Sequence, residues 1–170
     1  MVEAPGKAAA GSSGPFHRLI EWWALAGGVV LLGIALMTTW SAATGFIISK
    51  PLPGDFELTE ILVAVAVFSF LPYCQLTDAN VTADLFTARA GPRTVAAFTL
   101  FSSLLGVVIS VVLAWRTWEG LLDYRKYVET TAILKIPIWT AYVPAFASLV
   151  LLVLACLIGL ASSARALTRS

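Results

Sequence analysis

Residues 22–49 read WWALAGGVVLLGIALMTTWSAATGFIIS, a stretch without a charged side chain or a histidine. A transmembrane helix needs about 20 apolar residues to cross a hydrocarbon core of roughly 30 Å, because each residue of an α-helix adds about 1.5 Å. The apolar core of a signal peptide has only about 7–15 residues and is followed by a small-residue cleavage pattern, which does not directly follow here. We therefore expect a retained membrane span over about residues 22–48.

Three further uncharged stretches, residues 61–77, 94–115 and 136–164, predict three more spans, over about residues 58–77, 94–116 and 136–164. The composition agrees, since 59% of the 170 residues are hydrophobic and only 12% are charged, about half the charged share of a soluble domain. Pro72 should bend the second span, and the carbonyl that it frees needs a partner inside the protein. The predicted fold is all-α, an integral membrane four-helix protein with an interfacial amphipathic segment between spans one and two.

The segments outside the spans set the domain limits and the orientation. Residues 1–18 are rich in Ala, Gly, Ser and Pro and predict a disordered tail, residues 19–165 form the four-span domain, and residues 166–170 are a C-terminal tail. Four crossings place both termini on one side of the membrane. The basic residues of that side are Lys7, Arg18, Arg89, Arg93, Arg165 and Arg169, and those of the other side are Lys50, Arg116, Arg125, Lys126 and Lys135. The first group lies close to the span ends, which favours cytoplasmic termini.

The four uncharged stretches contain no Asp, Glu, Lys, Arg or His. Proton relays and ion-coupled transport sites normally need such groups within the membrane, so the chain is not expected to act alone as a pump or a pore. His17 precedes the first span, and Cys74 and Cys156 show no metal-ligand spacing, so we expect neither a haem held by two histidines nor a metal or other cofactor. The sequence shows no pair of a nucleophile and a base that would indicate an enzyme. The net charge of +1 gives no reason to expect binding to nucleic acid.

Hydroxyl side chains in the first span leave a second function open. They are Thr38, Thr39, Ser41 and Thr44. In a self-sufficient homo-oligomeric channel such hydroxyls would line a pore, together with backbone carbonyls at broken helices. The favoured interpretation is structural, because hydroxyls in membrane helices usually bond back to the preceding turn or to a neighbouring helix.

Two spans carry small residues at four-residue spacing, which makes each a candidate helix-docking face. These residues are Ser102, Gly106 and Ser110 in span three, and Ala155, Gly159 and Ser163 in span four. Small side chains let helix backbones approach closely, and such packing drives helix association in lipid. The two faces could dock on each other or on a partner subunit, and the sequence leaves both possibilities open.

The connection between spans one and two, KPLPGDFELTE at residues 50–60, predicts a turn followed by a helix. Its prolines and glycine end span one, and Asp55 can cap a helix that begins near Phe56, with Glu57 in its first turn. Glu57 and Glu60 are three residues apart and face the same way on that helix. They could hold a cation or an arginine of a partner, or simply form a solvated helix start.

Three motifs in this order resemble the small permease subunit, or DctQ-like family, of tripartite ATP-independent periplasmic (TRAP) transporters. They are PLPGDFELTE at residues 51–60, FSFLPYCQLTDANVTADLF at residues 68–86 and ETTAILKIPIWTAYVP at residues 129–144. The positions that match the family's loop motifs are Pro51, Pro53, Glu57, Glu60, Asp84, Ile136, Pro137 and Trp139. Asn80 departs from the family, because many relatives have histidine there.

The resemblance implies a function through partners. A family member of this kind would pair with a large, many-span permease subunit that carries substrate and sodium, while a periplasmic solute-binding protein delivers the substrate. The chain would then be a scaffold in the bacterial inner membrane, supporting sodium-coupled uptake of small organic acids without a cofactor.

Overall fold

The computed structural model describes residues 14–77 and 92–169, and the side chains of residues 14–77 and 101–161. Its helices are α1 (Pro15–Ile48), α2 (Asp55–Leu76), α3 (Pro92–Tyr127) and α4 (Trp139–Arg169). All four are long and apolar enough to cross a membrane. The prediction of an all-α, four-helix membrane protein is therefore confirmed, and the described residues contain no strand. Residues 49–54 form a short turn between α1 and α2, and the interfacial amphipathic segment stays a prediction.

Helix α1 begins inside the tail that the sequence predicted over residues 1–18. Gly14 has extended backbone, and Pro15 occupies the first helical position, where its fixed φ favours a helix start. One turn further, His17 Nδ1 lies 3.2 Å from Glu21 Oε1, and Ile20 is completely buried. These contacts extend the helix by a polar turn before the apolar span begins. Residues 1–13 of the predicted tail lie outside the described residues.

The ends of α3 and α4 also differ from the ends of the apolar stretches. A polar turn extends α3, and a polar hairpin takes the place of the first residues predicted for α4. Helix α3 continues to Tyr127, past the predicted end of its span near residue 116. The helical spacing of apolar side chains between Trp118 and Val128 had predicted such an extension. Helix α4 begins at Trp139 rather than at residue 136, because the preceding residues form a hairpin.

The four helices form a row rather than a closed bundle in the described part of the chain. Helix α2 packs against both α1 and α4, and α4 also packs against α3. The order across the row is therefore α1, α2, α4, α3. Large apolar side chains such as Leu36, Phe46 and Trp115 are exposed along the two outer helices. In a membrane protein such side chains face lipid or another subunit.

Close approach of backbones holds α1 against α2. A Cβ placed on Gly27 would lie 2.8 Å from Ser69 Cβ and 3.4 Å from the Ala66 carbonyl oxygen. Real Cβ atoms do not come this close to another carbon, so only glycine fits here without a shift of α2. Further along α2, Pro72 is completely buried and the helix continues through it to Leu76. The expectation that this turn faces protein is met.

Candidate functional site

The polar end of the molecule, which we call the loop end, comprises residues 49–57 and 129–138. At its base, Ser41 of α1 is only 2% exposed. The Ser41 hydroxyl donates a hydrogen bond to Asp55 Oδ2 and accepts one from the Leu52 amide at 3.1 Å. Asp55 Oδ1 also accepts the Phe56 amide at 2.7 Å. These bonds fold the turn back onto α1 and fix where α2 begins.

Gly54 allows the turn to enter α2. Its φ of +80° lies in the left-handed region, where glycine has no steric penalty. A Cβ on Gly54 would lie 2.5 Å from Leu134 Cγ, so the hairpin tip packs directly on this backbone. Gly54, and not the predicted Asp55, is the residue that precedes the helix; Asp55 is its first residue. Both the backbone angle and the contact with Leu134 therefore require a glycine.

Glu57 joins α2 to the α3–α4 connection. Its carboxylate oxygens accept the backbone amide of Ile133 at 2.7 Å and that of Leu134 at 3.0 Å. Glu57 precedes the uncharged part of α2, and the hydrogen bond from Leu134 is the main cause that lowers its pKa below the ordinary carboxyl value. An ionised Glu57 therefore holds the hairpin tip on the first turn of α2.

The α3–α4 connection is a tight hairpin of residues 129–138. The Thr131 amide donates to the Ile136 carbonyl oxygen at 3.0 Å, and the Ile138 amide donates to the Glu129 carbonyl oxygen at 3.1 Å. The Thr131 hydroxyl also accepts the Ile136 amide at 3.1 Å. Lys135 turns the chain with a positive φ of 56°. The hairpin therefore has internal bonds of its own and presents its tip to Glu57.

The loop residues that the family resemblance singled out fall into different places. Pro51 and Pro53 are exposed in the turn after α1, and Pro137 lies on the returning side of the hairpin, paired with Thr130. Trp139 is the first residue of α4, after Ile136 and Ile138 of the hairpin. Asp84, together with Asn80, lies outside the described residues. The structure thus brings Glu57 to the hairpin that contains Pro137.

Glu60 does not share the contact that Glu57 makes. It is exposed on the next turn of α2, whereas Glu57 is half-buried against the hairpin. Within residues 14–77 and 101–161 no group of three His, Cys, Asp or Glu side chains could hold a metal ion. The sequence analysis considered a cation, a partner's arginine or solvent as the partner of Glu57. The observed partner is instead the backbone of the hairpin. No local signal in the sequence indicates which amides will face a carboxylate 76 residues away.

The candidate docking faces meet in part at the contact of α3 with α4. Ser110 and Ala155 are buried, and a Cβ on Gly106 would lie 3.8 Å from Cys156 Sγ. Ser102 is exposed, and a Cβ on Gly159 would meet no described atom within 4 Å. The side chain of Ser163 lies outside the described residues. Docking of these faces on a partner stays a prediction.

The hydroxyls of the first span are satisfied inside the chain. Thr38, Thr39 and Thr44 donate to backbone carbonyl oxygens of the preceding turn at 2.9, 2.6 and 3.0 Å. This confirms the structural interpretation for the three threonines. Ser41 differs, because its hydroxyl bonds to Asp55 of the next helix.

A hydrogen bond that the sequence analysis missed ties α1 to α4. Trp23 Nε1 donates to Ser148 Oγ at 2.9 Å, and the Ser148 hydroxyl donates to the Pro144 carbonyl oxygen at 2.8 Å. A serine four residues after a proline inside an apolar helix is a recognisable signal for such a polar point, since proline loosens the local backbone bonding. Its partner on α1 could not be named from the pattern alone.

Comparison with known families gives one match that covers most of the chain. Residues 34–166 match the family model described as tripartite ATP-independent periplasmic transporters, DctQ component. The matched range begins within α1 and includes both parts of the loop end. No curated protein and no solved structure is significantly similar to the chain.

Proposed function

The chain belongs to the DctQ component family of tripartite ATP-independent periplasmic transporters, and from this premise we propose that it is a scaffold subunit without a transport path of its own. As a DctQ component it is a small, multi-pass membrane subunit of a TRAP transporter. The proposal is that it braces a large, many-span permease subunit, which carries out sodium-coupled uptake of small organic acids delivered by a periplasmic solute-binding protein.

The absence of Asp, Glu, Lys, Arg and His from the four uncharged stretches, residues 22–49, 61–77, 94–115 and 136–164, is the observation that carries this proposal. A subunit that moved ions or organic anions itself would need polar groups exposed within the membrane to replace their hydration. The hydroxyls of Thr38, Thr39 and Thr44 are instead bonded to their own helix. These groups are therefore poorly placed to bind a solute.

The row of helices supports the scaffold role in a second way. A row has two broad faces and two edges, and here α1 and α3 at the edges expose large apolar side chains. Phe46, at the end of α1, is 92% exposed. A surface of this kind offers a partner helix a long apolar contact, and in lipid such contacts form through shape and packing.

The proposed location is the bacterial inner membrane, with both termini in the cytoplasm and the loop end in the periplasm. The basic residues near the span ends on the side of the termini support this orientation. The loop end would then lie on the side from which a solute-binding protein delivers substrate. Its folding by hydrogen bonds to Asp55 and Glu57 makes it a defined surface rather than a loose connection.

Assembly with the large permease tests the scaffold proposal. The tagged chain is co-expressed with a large TRAP permease subunit from the same genome, extracted in mild detergent, and the mass of the purified particle is measured. We expect a complex of fixed stoichiometry and a large subunit that is less stable when the chain is omitted. Recovery of the chain as a homo-oligomer, with a large subunit that is equally stable without it, would contradict the proposal and favour a channel.

A further inference from the structure

An apolar groove runs along the contact of α3 with α4. It is open along its outer side and has a volume of about 560 Å³. Its walls include Val111, Ala114 and Trp118 of α3 and Phe146, Val150 and Leu154 of α4. The rings of Trp118 and Phe146 lie against each other with centroids 5.1 Å apart.

The position of the groove matches the outer part of one membrane leaflet. Trp115 also lines it, and this residue ends the uncharged stretch of α3, where the membrane meets water. From Phe146 to Leu154 the groove follows α4 inward over roughly 12 Å, at about 1.5 Å per residue. An extended hydrocarbon chain has the matching shape.

Two opposite charges, Arg116 and Glu119, lie at the end of the groove nearest the membrane surface. Trp115 Nε1 donates to Glu119 Oε1 at 3.0 Å, and Arg116 Nη1 donates to Glu119 Oε2 at 3.0 Å. The two bonds to one carboxylate hold the guanidinium beside the indole that lines the groove. The Arg116 side chain is 78% exposed, so its remaining N–H groups are accessible to a phosphate. A cation and an anion side by side complement a headgroup that carries both charges.

We propose that this groove binds one acyl chain of a membrane phospholipid with a zwitterionic headgroup of the phosphatidylethanolamine type. The phosphate contacts Arg116, the ammonium contacts Glu119, and the acyl chain lies between α3 and α4. An anionic lipid without the ammonium group would meet the Glu119 carboxylate and lose one of the two contacts. The site does not depend on the scaffold role, so either proposal can fail while the other holds.

Native mass spectrometry of the purified chain, alone and in its transporter complex, tests the site with matched variants. Each preparation is stripped of lipid and then given phosphatidylethanolamine or phosphatidylglycerol at equal concentrations. The wild type should retain one phosphatidylethanolamine more strongly than phosphatidylglycerol. Arg116→Gln should weaken its retention about tenfold, the loss expected for one hydrogen bond to a charged group. Arg125→Gln, on the same helix but away from the groove, should not.

Filling the groove gives a second comparison. Ala114→Phe places a ring where the acyl chain is proposed to lie, whereas Val112→Phe adds the same ring to an exposed position of α3 outside the groove. Retention should fall with Ala114→Phe alone. Equal retention by both variants, or no preference between the two lipids, would overturn the proposal.

A photo-reactive amino acid at Val150 separates lipid from protein as the occupant in the assembled transporter. A lipid adduct on this chain supports the proposal. A crosslink to the large subunit at this position would overturn it, because the groove would then hold a partner's helix.

Discussion

At Gly27 the backbones of α1 and α2 approach so closely that no side chain fits between them, whereas at the loop end the carboxylate of Glu57 reaches across to the backbone of the hairpin. The polar side chain at the first contact is that of Ser69, and its hydroxyl bonds to its own helix rather than to α1. The second is made of hydrogen bonds to an ionised group. Two physical means thus hold neighbouring elements of one small chain together.

The difference follows the surroundings of each contact. In lipid there is no water to expel from between helices, so association depends on close packing and small residues favour it. At the membrane surface, backbone amides of a loop need partners, and a carboxylate satisfies them better than water does. Substitutions at the two places should therefore respond differently to side-chain size, to charge and to pH.

Gly27→Ala should have the largest effect on stability. Its methyl group would overlap Ser69 Cβ, and forcing an extra carbon into a packed contact typically costs about 1–3 kcal/mol. Gly28→Ala is the matched control, because a Cβ on Gly28 meets nothing within 4 Å. Thermal unfolding of the two variants in one detergent measures the difference. Equal loss by both would mean that α1 and α2 do not pack through Gly27.

Gly54→Ala should have the next largest effect. A residue with a side chain pays about 1–2 kcal/mol for left-handed backbone, and here the methyl group would also press on Leu134. Gly14→Ala serves as the control, since Gly14 has an ordinary negative φ and open space around it. The free energy of unfolding of each variant checks this. A Gly54 variant as stable as the control would show that the hairpin does not rest on the turn.

Trp23→Phe should weaken the tie between α1 and α4 by a smaller amount. It removes the donor to Ser148, and hydrogen bonds between membrane helices contribute about 0.6 kcal/mol on average. Trp22→Phe removes a neighbouring indole that is 71% exposed. A double-mutant cycle with Ser148→Ala measures the coupling energy. A coupling energy of zero, or an equal loss of stability in Trp22→Phe, would show that this hydrogen bond does not hold α1 against α4.

Glu57→Gln should change the hairpin locally, with the smallest effect on global stability. The amide side chain keeps one oxygen acceptor and loses the charge, so the backbone amides of Ile133 and Leu134 should lose protection from hydrogen exchange. Glu60→Gln, one turn further on the exposed side, should leave this protection unchanged. Protection factors of these two amides measure the effect. Equal protection in both variants would remove Glu57 from the contact.

The same protection should depend on pH in a direction set by the lowered pKa of Glu57. A carboxyl group whose pKa is lower in the folded protein adds stability above its ordinary pKa of 4.5, and that stability is lost as the pH falls through the lowered value. The difference between wild type and Glu57→Gln should therefore be full at neutral pH and should shrink below about pH 4.5. A difference that stays constant into acid would contradict an ionised contact.

The membrane-spanning part of this fold could be predicted from composition, whereas the loop end could not. Long uncharged stretches predict four helices because lipid leaves few alternatives for the backbone. Which of the adjacent Gly27 and Gly28 faces α2 depends on the rotation of α1, and local sequence does not determine that. Gly54 is recognisable as a turn residue, but its contact with Leu134 depends on how the helices place two distant loops.

The candidate site shows the same limit. The sequence placed Glu57 in the first turn of α2, where the structure has it, and placed Pro137 and Trp139 at the entry to span four. It did not indicate that the hairpin folds back so that Ile133 and Leu134 donate to Glu57. Contacts between loops depend on helix tilt and order, and these are set by packing across the whole row.

Solute flux into vesicles tests the central claim most directly. Purified chain is reconstituted alone, and in parallel with the large permease subunit, under a sodium gradient and with the binding protein supplied outside together with its organic acid. Because the uncharged stretches of this chain hold no Asp, Glu, Lys, Arg or His, the account predicts uptake only when the large subunit is present. Sustained uptake by the chain alone would contradict it.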